Sequence, residues 1–404
     1  MMFKRKVLYL GGFDPRGARF YHQLQGEQVA AHNAGAMDGE SSKLHLSSRR
    51  REHGDFAWTL TDGDDAHAPT MLCETRFLAW DDLVRKHWPA GGPGLIPKML
   101  ATYWRYARQG EWAITGHVPR GSKLALLYPG LALVLLPLAC TLAIALVLAL
   151  ATFMLGLGGW LVATLVMAAA LAGGLTAGLA LAKKMHAMWL LRFIMFNDML
   201  ARHATDPALD ERLDRFAATI AEALDEAGDE NGAGDENGGG QWDEVLFVTH
   251  SNGSILAMLV MARLIALRGP DLPGHFALVT LGGSIQLVCF RHDARDYHVA
   301  CDTVAHARFA WLDIGSLTDG ASIPLIQPLL GRPVDKPAGL VQLSPRWFRY
   351  CEPATYKARR RDKYMTHFDY LRRLDRPSPL DFLGITASTQ PLATSIAEFE
   401  ADNG

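Results

Sequence analysis

Cysteine is scarce in this 404-residue chain and shows no pairing pattern. Cys73, Cys140, Cys289, Cys301 and Cys351 are scattered, odd in number, and form no C-x-x-C pair. A disulfide framework or zinc site is therefore disfavoured, and a reducing compartment fits. A basic excess is missing too: 40 Lys and Arg stand against 42 Asp and Glu, a formal net charge of −2. That argues against a nucleic-acid binder. The motifs G-x-x-x-x-G-K-[ST] and H-E-x-x-H are both absent. His292-Asp293 and Asp296-Tyr297-His298 have no matching partners elsewhere and read as a solvated loop, so neither metal nor cofactor is expected. At the start, Lys4-Arg5-Lys6 leads into only four apolar residues, Val7 to Leu10, before Gly11-Gly12. A signal peptide needs a longer run, so a buried strand is expected there.

The largest absence is charge between Leu124 and Ala182: 59 residues carry no Asp, Glu, Lys or Arg. Outside this run 82 charges fall in 345 residues, about 24%, close to the usual 25% of soluble domains. A single helix of that length would reach about 88 Å, against a hydrocarbon core of about 30 Å. Two transmembrane helices, at roughly 130–154 and 160–182, with a turn at Gly156, Gly158 and Gly159, fit instead. Arg120, Lys123, Lys183 and Lys184 flank the pair, and the turn is uncharged. The positive-inside rule then puts both ends in the cytoplasm, as an integral protein of an inner or plasma membrane.

On either side the texture is that of an α/β layer sandwich, with helices on both faces of a mostly parallel sheet. Strands are expected at Val7–Leu10, Lys43–Ser48, Phe56–Thr61, Thr75–Trp80, Val245–Val248, Phe276–Leu281 and Phe309–Ile314. Helices are expected at Ala18–Ala34 and Ile255–Leu267. The parts are 1–120, a first α/β portion; 121–200, the transmembrane pair and flanks; 201–241, an acidic helix and loop; and 242–404, the second α/β portion. In the acidic part, the segment Ala227–Gly232 recurs unchanged as Ala233–Gly238. It lacks the twelfth-position Glu of an EF-hand and is expected to be a disordered loop.

The most informative stretch is Val245-Leu246-Phe247-Val248-Thr249-His250-Ser251-Asn252-Gly253-Ser254. It places Ser251 at a sharp turn between strand and helix, the context of a G-x-S-x-G nucleophile elbow. Strand and helix approach closely there, so the positions two before and two after the Ser must be small. Gly253 meets this, while Thr249 replaces the first Gly. The alternative is that Ser251 or Asn252 merely caps a helix. Ser284 is a weaker rival, because Gln286 stands where a small residue is needed.

With these features the chain resembles the α/β-hydrolase superfamily, above all its lipases and esterases, some of which carry Thr at the position of Thr249. The resemblance covers most of the chain outside the apolar run, in pieces. It implies a Ser–acid–His order. Leu312 to Pro324 is similar to the Gly…Asp…Pro loop that carries the acid, making Asp319 the candidate and Asp313 the runner-up. His367 is the only histidine after Asp319 and becomes the base. The resemblance also implies two oxyanion donors: the amide of Asn252, and that of Phe13 or Gly12 in the loop Leu10–Asp14, where the lipase His is missing.

The expected activity is that of a membrane-anchored serine hydrolase acting on a small-molecule or lipid ester. The rival expectation is a catalytically inactive hydrolase-fold scaffold at the membrane. The apolar run precedes the elbow, so it is expected to be a separable anchor, replaceable from Leu124 to Ala182. Arg346 to Arg376 holds ten basic and four acidic residues. Its Arg359, Arg360 and Arg361 are expected to rest on anionic headgroups.

Overall fold

The computed structural model describes residues 2–35, 42–63, 68–88, 94–110, 114, 116–203, 205–228 and 241–403. The repeated acidic segment falls mostly on 229–240, outside the described residues. The first part runs β1 (Phe3–Leu10), α1 (Gly17–Gly35), β2 (Leu44–Leu46), β3 (Arg50–Glu52), β4 (Asp55–Asp62), β5 (Met71–Phe77), α2 (Asp81–Lys86) and α3 (Leu95–Arg108). Then come four helices, α4 (Arg120–Met154), α5 (Trp160–Lys184), α6 (Ala187–Ala201) and α7 (Pro207–Ala227). The second part holds β6 (Glu244–His250), α8 (Asn252–Arg268), β7 (Phe276–Leu281), α9 (Gln286–Cys289), α10 (Arg295–Ala305), β8 (Ala310–Ile314) and β9 (Leu340–Leu343). It closes with α11 (Trp347–Tyr350), α12 (Pro353–Arg359), α13 (Lys363–Thr366), α14 (Phe382–Thr386) and α15 (Leu392–Asn403).

Among the described residues the strands form one mixed sheet in the order β2-β4-β5-β1-β6-β7-β8-β9, with β3 on β4. From β5 to β9 every pairing is parallel; β2, β3 and β4 run antiparallel at one edge. Side chains alternate between the faces, as a period of two requires. Leu8, Leu10, Phe247 and Leu278 face α6, α7, α8 and α10, whereas Val7, Tyr9, Val248 and Val279 face α1, α14 and α15. Burial on both faces explains why β6 and β7 read as unbroken apolar runs.

Of the strand boundaries that differ from expectation, two have a clear cause. β1 begins at Phe3 because the basic residues enter the sheet with partners: Arg5 lies 2.6 Å from Glu244, and Lys6 pairs with Glu74. The expected strand at Thr75–Trp80 is instead Met71–Phe77. Its start is pinned by the Asp62 carboxylate, which accepts from the Thr70 and Met71 amides at 2.8 and 2.7 Å.

The apolar run forms α4 and α5, both long and apolar enough to span a membrane. They pack along each other on a seam of small residues, Ala170, Gly174, Gly178 and Ala182, all buried. A Cβ on Gly178 would stand 2.3 Å from Pro137 Cα, so the backbones meet as in small-xxx-small pairs. α4 starts ten residues earlier than expected and passes through Pro129. The Tyr103 hydroxyl enters the helix ladder there, donating to the Leu126 carbonyl at 2.9 Å and accepting from the Gly130 amide at 3.3 Å. α6 was not foreseen. It lies wholly in the packed body, its Phe196 stacked 4.5 Å from Phe13, and Asp198 ties it to Arg105 and Arg291 at 2.6 and 2.8 Å.

Candidate active site

From β1 the chain crosses to the far edge at β2, comes back through β4 to β5 beside β1, then passes to β6 on the other side of β1 and proceeds outward to β7, β8 and β9. The reversal falls between β1 and β6, and ligands of open α/β sheets collect beyond the strand ends at such a point. Leu10 is in register with Thr249, which sets Gly11-Gly12 beside His250-Ser251. The loops after β7 and β8, carrying Ser284 and Asp319, open on the same edge.

Ser251 sits between β6 and α8 at φ 57°, ψ −124°, a region nearly restricted to glycine. The surrounding contacts hold it there: its amide donates to the Leu281 carbonyl at 2.9 Å, and its carbonyl accepts from Ser254 at 3.0 Å. Gly253 is obligatory, since a Cβ would stand 2.3 Å from the Leu10 carbonyl oxygen. Thr249 is accommodated because its hydroxyl is used, meeting Ser254 Oγ at 3.1 Å and the Val279 carbonyl at 3.3 Å. No cap bond is made by the Ser251 side chain to α8. Its Oγ instead lies 2.7 Å from His367 Nε2, and His367 Nδ1 lies 2.9 Å from Asp319 Oδ2. Residues 116 and 48 positions apart thus form one hydrogen-bonded row.

Burial works to raise the Asp319 carboxyl, but the charge and hydrogen bond of His367 and the Ala321 amide prevail and hold it below its ordinary value. A Cβ on Gly315 would stand 2.7 Å from Pro324, so the acid loop closes on itself. Ser284, the rival nucleophile, donates to the Ala321 carbonyl at 2.9 Å and braces that loop. Asp313, the runner-up acid, does not meet His367. It accepts from Thr280 Oγ1 at 2.6 Å and Gln342 Nε2 at 3.1 Å, and burial raises its carboxyl to about 6.

Gly12, one of the donors expected from the sequence, closely approaches the serine: a Cβ there would lie 2.8 Å from Ser251 Cβ. The Gly12 carbonyl accepts from the Asp14 amide at 2.8 Å in a tight turn that carries Phe13. Asn252 is the first residue of α8, so its amide has no acceptor within that helix. Phe13 packs between Trp88 and Phe196 and forms a wall. Of the three basic residues expected at headgroups, Arg359 is engaged within the fold, with Asp369 at 3.3 Å and the Arg373 carbonyl at 3.2 Å. Arg360 and Arg361 are exposed. Among the described residues no group of three or more His, Cys, Asp or Glu is placed to hold a metal ion.

Three neighbours of the row escaped sequence reasoning. The His250 ring lies 4.9 Å from that of His367, and its Nε2–H donates to the His367 carbonyl at 2.8 Å. Burial, then the nearby His367, push the His250 imidazole down to about 3. The only sequence signal was an ionisable residue ending an apolar strand. Trp189 of α6 lies 5.7 Å from the His367 ring, and Ser122 of α4 donates to the Ser322 carbonyl at 2.6 Å. Neither had any local signal.

His250 yields a prediction on stability. The unfolded imidazole takes a proton below about pH 6.5 while the folded one stays neutral to about 3. The unfolded state therefore binds more protons in that window, and this residue's contribution grows as pH rises through it. Urea unfolding of wild type and His250→Gln should show the wild-type curve steeper by about 1.4 kcal/mol per pH unit near pH 5. Parallel pH dependences would show that His250 is not held neutral.

Compared with known proteins, the chain matches no family model, no curated protein and no solved structure.

Proposed function

We propose that this protein is a membrane-anchored serine hydrolase that cleaves an acyl ester, with an α/β-hydrolase-like body and a transmembrane hairpin formed by α4 and α5. The observation that carries the reading is the row Ser251–His367–Asp319 on a strained serine at a strand–helix turn. His367 Nε2 takes the Ser251 proton as Oγ attacks the ester carbonyl. The same proton then passes to the departing alkoxide, leaving an acyl-serine. Water, deprotonated by His367, releases the acid and restores the hydroxyl. Asp319 keeps the imidazole in the tautomer with Nδ1–H and stabilises the imidazolium. The amides of Asn252 and Phe13 or Gly12 face the developing oxyanion. A lipid ester is favoured by the closeness of the hairpin to the site: Ser122 at the base of α4 holds the acid loop, and Trp189, just after α5, touches His367. The basic flanks Arg120, Lys123, Lys183 and Lys184 favour a site on the cytoplasmic side.

One observation favours the scaffold alternative: Ser251 is only 7% exposed. A fluorophosphonate probe decides between them, because it labels only an activated serine. Labelling is expected for the wild type and not for Ser251→Ala. A membrane-impermeant form of the probe should label inverted vesicles and spare intact cells. An unlabelled wild type sinks the enzyme reading, and labelling of intact cells sinks the orientation.

A further inference from the structure

Helix α3 has the wrong surface for water. Its inner face, with Leu95, Met99, Thr102 and Tyr106, is buried. Its outer face carries Ile96, Leu100 and Trp104, one turn apart and all exposed, Trp104 at 64%. The charged residues are displaced from that face. Arg105 turns inward to Asp198, Lys98 is exposed on the flank opposite Leu100, and Arg108 sits at the margin of the stripe, its guanidinium 5.9 Å from the Trp104 ring. An outward apolar stripe with a tryptophan and flanking basic residues is the pattern of a helix lying in a membrane interface.

The height of α3 along the hairpin supports the same conclusion. Counting about twenty residues, roughly 30 Å, from the loop end reaches Leu135 on α4 and Leu179 on α5. These two levels meet across the seam, where Gly178 faces Leu136 and Pro137. α3 packs just below, its Tyr103 on Leu126 and Gly130, and its Leu95 and Met99 clustered with Leu133, Ala182 and Leu191. The Ile96 end of the stripe therefore lies beside the level where acyl chains give way to headgroups, and the stripe descends from there along α4 toward Leu126.

We propose that α3 lies in the headgroup layer of the bilayer that α4 and α5 enter, with Ile96, Leu100 and Trp104 at the acyl boundary and Lys98 and Arg108 among anionic headgroups. The inference rests on the transmembrane reading of the hairpin and adds a second contact with the same membrane. α3 is fastened to α6 by Arg105–Asp198 and by the Tyr106 hydroxyl, 3.2 Å from the Ile194 carbonyl. α6 in turn carries Trp189 to His367. Seating α3 on the bilayer thus fixes the height and tilt of the Ser251 site above the lipid.

The test compares two leucines of equal exposure. Leu100 on α3 is 59% exposed and Leu267 on α8 is 60% exposed. Cys140→Ala removes the one cysteine that is not buried. Nitroxide labels are then placed at Leu100→Cys or Leu267→Cys in the full chain, in vesicles of phosphatidylcholine and phosphatidylglycerol. Collisions with oxygen relative to a water-soluble nickel chelate should be severalfold more frequent at position 100 than at 267. Ala107→Cys, on the outer face of α3, should behave like position 100. Equal ratios at 100 and 267 would overturn the proposal. So would dipolar broadening at 100, which a second copy seated on α3 produces. Alkaline carbonate extraction of the same vesicles tests the underlying reading separately. Release of the protein defeats the hairpin, whereas retention with a water-like position 100 defeats only the placement of α3.

Discussion

Ser251→Ala should abolish turnover of a short p-nitrophenyl ester, with kcat falling by about 10⁴- to 10⁶-fold, roughly 5–8 kcal/mol on the barrier. His367→Ala should cost a comparable factor, because nucleophile and base act as a unit. Asp319→Asn keeps the shape of the row but no longer enforces the tautomer, and about 10⁴-fold is expected. Asp313→Asn should stay within about tenfold. Its carboxyl binds Thr280 and Gln342 and touches no member of the row. Steady-state kinetics on the four purified variants, each checked by circular dichroism, measures all of this. Undiminished activity in His367→Ala would remove the assignment, because no other histidine follows Asp319 in the sequence.

The second large effect concerns how much of the hairpin can be removed. The sequence alone suggests that the whole run from Leu124 to Ala182 is a separable anchor. The packing moves that boundary. Leu126, Leu133 and Ala182 belong to the packed body, Leu133 and Ala182 covering Leu95, Met99 and Leu191. Cutting back only to Val134 and Leu179, with a Gly/Ser linker between them, should keep soluble-ester turnover within about threefold, less than 1 kcal/mol. On the proposed function, hydrolysis of a bilayer-embedded ester should fall much further, because the protein would no longer share the substrate's membrane. The longer deletion should be far worse. Uncovering Leu95, Met99, Leu191 and Met195 at about 1.5–3 kcal/mol each would consume most of a typical stability of about 5–15 kcal/mol. Thermal unfolding beside the ester assay tells these apart. A shorter deletion that stays folded yet loses the soluble activity would place the outer hairpin in the site itself.

Much of the candidate site was legible because its signals are local. A glycine two residues after Ser251, an apolar strand before it and an apolar helix after it all follow from neighbouring residues, and the structure shows the reason in the Leu10 carbonyl pressed against Gly253. The Asp319 loop was legible for the same reason, with Gly315 and Pro324 closing on each other within ten residues of chain. What escaped depends on distant segments. Whether Asp319 or Asp313 meets His367 turns on the packing of a loop 48 residues further along. His250 was visible as a residue but not as a contact, since its partner is a backbone carbonyl 117 positions away.

The hairpin divides in the same way. Fifty-nine residues without a charge determine by themselves that this segment forms no charged face of its own to turn to water. Only the tertiary structure decided where that segment ends. α6 is nearly as apolar as the helix before it, yet it turns off at His186 and packs beneath the sheet, with Asp198 paired to Arg105 and Arg291. α3 has the opposite history: its stripe of Ile96, Leu100 and Trp104 would pass for a core face by periodicity. Periodicity shows that a helix has two faces. Which of them is covered depends on the partners the rest of the chain brings to it, and here those partners cover the other face.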